Sequence, residues 1–266
     1  MSMKHSGSIR RAALGAACAV AAIAAAPFAA QAADVTVRVE GQTGALLAPT
    51  SVTIGSGSGT ALTWDGRAMP IRCADDSVYG ATEKATVGNW DRNPYVETII
   101  RERHTWSPNE EYWILYHNND YADWGACDLH LRDGDTVLWQ AGKSGPSPDF
   151  IPDSVPIQIA RVGSGTIRPG GTVTIQLTAW RPTDIFGTPD PSDPNHWIIP
   201  PSPSSTPSGY TISGGTSTRT TNASGQATIT MPSTAGWATV GASVPGSSSN
   251  WSRAVPLRLC VGTSPC

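Results

Sequence analysis

Apolar and polar residues alternate along most of this chain, and apolar positions at helical spacing are almost absent. In VTVRVEG (35–41) the three valines Val35, Val37 and Val39 fall on one side, as in a half-buried strand. YVETIIRERH (95–104), EYWILYHN (111–118) and CDLHLRDGDTVLWQ (127–140) read as further strands, with Asp133-Gly134-Asp135 as a turn inside the last. EYWILYHN is apolar on both faces: Tyr112, Ile114 and Tyr116 share one, Trp113, Leu115 and His117 the other. That pattern predicts a central position in its sheet. Only GTALTWDGRAMP (59–70) could hold a short helix, ended by Pro70. The expected fold is mainly β with at most one short helix.

Residues 141–154 form a Pro/Gly/Ser-rich linker, and the composition then changes. VPIQIARV (155–162), GGTVTIQLTAWRP (170–182), GYTIS (209–213), STRTTNASGQATITM (217–231), GWATVGASV (236–244) and RAVPLRLCV (253–261) are short strands split by turns. This spacing fits an antiparallel β-sandwich over 155–266. Asn222 to Gly225 reads as a hairpin turn. Residues 182–207 carry eight prolines and are expected as a long exposed loop, unable to pair in a sheet.

The first residues set the compartment. Lys4, Arg10 and Arg11 precede an apolar run from Ala12 to Ala26, and Ala30-Gln31-Ala32 offers a cleavage site. Residues 1–32 therefore read as a secretory signal peptide, leaving a secreted protein that does not insert in a membrane. Beyond residue 32 the chain carries 15 basic and 21 acidic residues, net −6. The excess lies in residues 33–152, with 17 acids against 9 bases, which argues against a nucleic-acid partner. Cys73, Cys127, Cys260 and Cys266 remain after cleavage, an even number that reads as disulfides in an exported chain. Three pairings are possible; proximity favours Cys73–Cys127 and Cys260–Cys266.

Common catalytic spellings are missing: no Gly-x-Ser-x-Gly, no His-Glu-x-x-His and no phosphate loop. GSGSG (55–59) reads as a flexible loop. His104, His117 and His130 read as separate surface or packing residues before a metal site, and Asp120, Asp123 and Asp128 as turn residues before a calcium site. Glu97, Glu102, Glu110 and Glu111 could supply a carboxylate pair for glycan hydrolysis only at a set separation. Aromatics are in excess, with nine tyrosines and tryptophans between Tyr79 and Trp124. Trp90, Trp106, Tyr121 and Trp124, in connecting loops, are the expected ligand contacts, joined by Trp197 in the proline-rich stretch.

Several of these pieces also resemble known families. VTVRVEG, Gly59-Thr60-Ala61-Leu62, YVETI, Tyr112-Trp113, Asn118-Asn119, GACD and RDGDTVLW make residues 33–140 similar to the transcobalamin-like C-terminal domain of secreted bacterial proteins, with Asn119 standing where that family commonly has glycine. TTNASGQATITM followed by GWATVGASV makes residues 155–266 resemble an invasin-type bacterial Ig-like domain. The closing CVGTSPC, with Cys73 and Cys127, is similar to exported actinobacterial proteins that combine the two. The resemblance implies a transcobalamin-like β-rich domain followed by an Ig-like sandwich. The expected function is non-enzymatic binding, without cofactor, of an extracellular protein, glycan or small ligand. Alternatives are a structural spacer or subunit of a cell-envelope assembly, cobalamin or other small-ligand binding, and a glycan hydrolase using acidic loop residues.

Overall fold

The structure, a computed structural model, describes residues 32–55, 57–64, 66–105, 111–122, 125–143, 154–191, 193–243, 256–262 and 266. Among these residues the fold is mainly β, with one helix. The N-terminal half runs β1 (Ala33–Glu40), β2 (Ala45–Ile54), β3 (Thr60–Trp64), β4 (Arg67–Cys73), α1 (Val78–Thr86), β5 (Thr98–Ile99), β6 (Glu102–Arg103), β7 (Tyr112–His117), β8 (Asp120–Tyr121) and β9 (Thr136–Gly142). Its main sheet has the order β2-β1-β9-β7-β8, with β1 and β9 parallel and the other pairs antiparallel.

Alternation in β1 translates directly into burial. Val35, Val37 and Val39 are at most 1% exposed, and they pack with Trp113, Val137, Trp139 and Ala141 beneath α1. The opposite face buries Ile114, Tyr116 and Leu138. The two-faced apolar strand β7 is thus explained, but its predicted place is corrected. β9, buried on both faces, is the central strand; β7 has only the two residues of β8 beyond it.

Three other local expectations are also corrected. Residues 59–70 form no helix: β3 and β4 pair as a two-stranded ribbon, turned at Gly66 (φ 74), and Pro70 is tolerated because such a ribbon is all edge. The helix lies instead at Val78–Thr86, where the Ser77 hydroxyl accepts a hydrogen bond from Gly80 N at 3.2 Å. Residues 95–104 are not one strand, because Ile100 (φ 49) and Arg101 (φ 67) turn β5 back onto β6. The Asp133–Asp135 turn forms as expected, and Asn118 (φ 51) and Asn119 (φ 71) both adopt the left-handed conformation between β7 and β8, which asparagine tolerates.

The C-terminal half contains β10 (Ile157–Arg161), β11 (Thr172–Trp180), β12 (Thr188–Asp190), β13 (Asp193–Ile198), β14 (Ser204–Ser205), β15 (Thr211–Gly214), β16 (Ser217–Thr220), β17 (Gln226–Thr230), β18 (Gly236–Ser243) and β19 (Leu257–Val261). β11 pairs with β10 on one side and with β17 and β14 on the other; the second sheet runs β16-β15-β18-β19. Between the two sheets lies an aliphatic core that includes Ile175, Leu177, Ile212, Ile229, Met231 and Val240, all 0% exposed. The proline-rich stretch is not wholly unpaired, as β12 and β13 form a hairpin of their own and β14 joins β11. A two-stranded hairpin has outward-facing N–H positions that proline can occupy without losing a ladder bond. The Asn222–Gly225 turn closes, with Gly225 N donating to Asn222 O at 2.9 Å, but its arms enter different sheets.

Both disulfides form, Cys73–Cys127 and Cys260–Cys266. No helix among the described residues is long and apolar enough to cross a membrane. The expected signal peptide lies, but for Ala32, outside the described residues.

Candidate functional site

The first disulfide anchors the loop whose Ala126 lines a cavity. Cys73 and Cys127 tie the end of β4 to the loop ahead of β9, and Val78 N and Tyr79 N donate to Leu129 O and Ala126 O. This holds the first turn of α1 against the 126–129 loop, with the helix lying over β1 and β2. Each large ring around it is then aimed by a polar partner. Trp113 Nε1 donates to Glu97 O (3.0 Å), Trp139 Nε1 to the Thr82 hydroxyl (2.9 Å), and the Tyr79 hydroxyl to Asn93 O.

Between these rings a cavity of about 670 Å³ remains, open on one side. Tyr79, Tyr95, Tyr112, Trp113, Tyr121 and Trp139 supply most of its wall, with Leu115 and Val96 between them. Glu97 is the one carboxylate among the described lining, and it is paired with Arg103 at 2.8 Å on the exposed side. Burial pushes the Tyr79 phenol far above its ordinary pKa and that of Tyr121 up to about 12, helped respectively by Asp91 and Tyr112. The Tyr95 and Tyr121 hydroxyls have no hydrogen-bond partner among the described residues.

The expected contact residues divide. Tyr121 lines the cavity. Trp90 does not: it is 6% exposed, stacks edge-on against Tyr79 at 4.7 Å and donates its indole N–H to Glu83 at 2.7 Å, so it is a packing residue. Trp106 and Trp124 lie outside the described residues, although Thr105 and Ala122, close to them in sequence, line the cavity. Trp197 sits in β13, and its side chain is also outside what is described. Sequence reasoning missed Tyr79, Tyr95, Tyr112, Trp113 and Trp139 as lining residues. Tyr95 falls in a stretch read as strand, and nothing local marks it as the 76% exposed ring it is.

Other chemistry weighed from the sequence disperses. His104 meets Glu102 at 2.6 Å, His117 meets Asp135 at 3.0 Å and His130 meets Asp76 at 2.9 Å, so the three histidines have separate carboxylate partners. No group of three metal-ligating side chains occurs among the described residues. Asp120 accepts a hydrogen bond from Ser202 N at 2.6 Å, tying the proline-rich stretch to β8, while Asp123 is outside the described residues. Burial raises the Asp135 carboxyl, but hydrogen bonds from Asn118, Arg132 N and His117 outweigh it and hold it below the usual range. The glycine-rich 55–59 segment is pinned rather than free, with Gly55 N and Gly57 N both donating to Asp75 at 2.9 Å. A carboxylate of the chain itself occupies those amides, where a phosphate would have to sit.

Residues 75–143 match the model of a family described as a domain of unknown function (DUF4430). Every described lining residue of the cavity, from Tyr79 to Trp139, falls inside that match. No curated protein matches the chain, and neither does any solved structure.

Proposed function

We propose that this chain is an exported binding protein that takes its ligand in the aromatic cavity between α1 and β7–β8. The observation that carries the reading is the cavity itself. Its volume of about 670 Å³ lies within the range of small-ligand sites, about 300–1,000 Å³. Its walls combine wide apolar faces with the hydroxyls of Tyr95 and Tyr121, which have no partner among the described residues. Export is supported by the leader read in residues 1–32 and by the two disulfides. A binding rather than hydrolytic role is supported by the lone carboxylate in the described lining, since glycoside hydrolysis uses two across the substrate.

The residues quoted for the transcobalamin-like resemblance overlap the part that forms the cavity, and we read the C-terminal half as an Ig-like spacer that presents it. Thermal unfolding of oxidised 33–266 with cobalamin, calcium and cell-wall sugars tests the reading. A ligand at 100 times its dissociation constant adds about 2.7 kcal/mol, and Ala122→Trp, which sets a bulky ring on the cavity wall, should abolish the shift. A shift that survives Ala122→Trp would reject the cavity as the site.

A further inference from the structure

We infer that the ligand is a neutral oligosaccharide, with one pyranose in the cavity and the next stacked on the exposed Tyr95–Trp64 pair. The inference rests on the cavity being the binding site. A pyranose has apolar C–H faces and a rim of hydroxyls, so it is bound by ring faces with hydrogen-bonding groups at their edges. The described lining holds four tyrosines and two tryptophans and no phenylalanine; Tyr95, Tyr112 and Tyr121 are its more accessible rings, while Tyr79, Trp113 and Trp139, at most 6% exposed, back the wall. An apolar ligand would have no use for the hydroxyls of Tyr95 and Tyr121, which meet no partner among the described residues, whereas sugar hydroxyls can both donate to and accept from them. Glu97, in the lining, adds a planar acceptor that Arg103 pairs at 2.8 Å.

The second subsite lies on the rim. Tyr95 lines the cavity and also meets Trp64, with ring centroids 6.4 Å apart at 73°. The two rings are 76% and 50% exposed, so the aromatic surface continues from the cavity out to solvent. A single exposed ring is ordinary; two in contact at a cavity mouth form a patch that another molecule can cover. Charge selects the kind of sugar. Residues 33–152 carry 17 acids against 9 bases, which disfavours uronate, sulfated or phosphated chains.

The test titrates the oxidised chain, purified from an exporting host, with glucose, N-acetylglucosamine and their β-1,4-linked oligomers up to six units. Tryptophan fluorescence and calorimetry are the readouts. Affinity should rise from one to two units. Trp64→Ala should leave monosaccharide affinity within about twofold and weaken the longer oligomers by about threefold to tenfold. Tyr121→Phe should weaken every length by about fivefold, through one lost hydrogen bond. Affinity independent of length, or longer oligomers untouched by Trp64→Ala, would overturn the proposal. The uncharged apolar dye N-phenyl-1-naphthylamine separates the cavity from its proposed occupant. Dye binding that Ala122→Trp removes, with no sugar bound, would reject the oligosaccharide and keep the cavity. Neither dye nor sugar bound would reject both.

Discussion

The N-terminal half of the chain sets large rings among the aliphatic side chains of its interior, and the C-terminal half builds its own core from aliphatic side chains without them. Tyr79, Trp90, Trp113, Tyr116 and Trp139 are each at most 6% exposed in the first half, while the sandwich core is drawn from isoleucine, valine, leucine, alanine and methionine. The difference has a structural consequence. A buried tyrosine or tryptophan must satisfy its O–H or N–H, so each ring is aimed by an acceptor: Glu97 O, Thr82, Asn93 O, Glu83 or Ser154 O. Rings held at their edges cannot slide together to close a gap. Aliphatic side chains carry no such constraint and settle to close packing between two sheets. Space for a ligand survives where polar bonds fix the walls.

Removing the disulfides should break this comparison most strongly. Cys73–Cys127 spans a sequence separation of 54 and its replacement by alanines should cost about 4 kcal/mol on chain entropy, against about 2 kcal/mol for Cys260–Cys266, which spans 6. Denaturant midpoints of the two double mutants give the order, and equal losses would contradict it. Next come the two interiors. Ile229→Ala, in the sandwich at 0% exposure, should cost about 3 kcal/mol. Tyr121→Ala should cost about 1 kcal/mol, because one side of the ring already faces open space. A loss at Tyr121 as large as that at Ile229 would mean that the cavity wall is ordinary core.

Alkaline titration sharpens the contrast further. The Tyr121 phenol is raised in the folded chain to about 12, so its neutral form contributes stability that is complete below the ordinary tyrosine value near 10. As the pH rises through that window toward 12, the unfolded chain ionises first and this stability is lost. Absorbance at 295 nm should therefore show Tyr121 titrating late in the wild type, with that late step missing in Tyr121→Phe. The smallest effect is a gain. Val87 caps α1 with φ 52 while 90% exposed, and Val87→Gly should stabilise the chain by about 1 kcal/mol in thermal melts.

Much of the architecture could be read locally. The alternation of Val35, Val37 and Val39, the two-faced β7 and the turns at Asp133–Asp135 and Asn222–Gly225 all depend on neighbours a few residues away. The helix was misplaced because a nine-residue segment with one serine cap leaves a weak periodic signal, while 59–70 offered apolar residues and a terminal proline that a β-ribbon accepts equally well. The central strand was misassigned because burial on both faces reports what lies above and below a sheet, and says nothing of its edges.

The site was only half legible for the same reason. Residue type marked the 79–124 stretch as rich in amphipathic rings, and alternation was sufficient to place β1 and the faces of β7. Which ring lines the cavity and which fills the core was settled by partners distant in the chain. Trp139 bonds Thr82 57 residues away, Tyr116 bonds Ser154 O 38 away, and the Cys73–Cys127 bond ties the strand ahead of α1 to the loop ahead of β9. Trp90 went inside because Tyr79 and Glu83 of α1 receive it, while Tyr95, five residues on, stayed at the mouth. Periodicity describes the backbone that the local sequence prefers; a cavity is shaped by long-range contacts, and those exist only once the chain has folded.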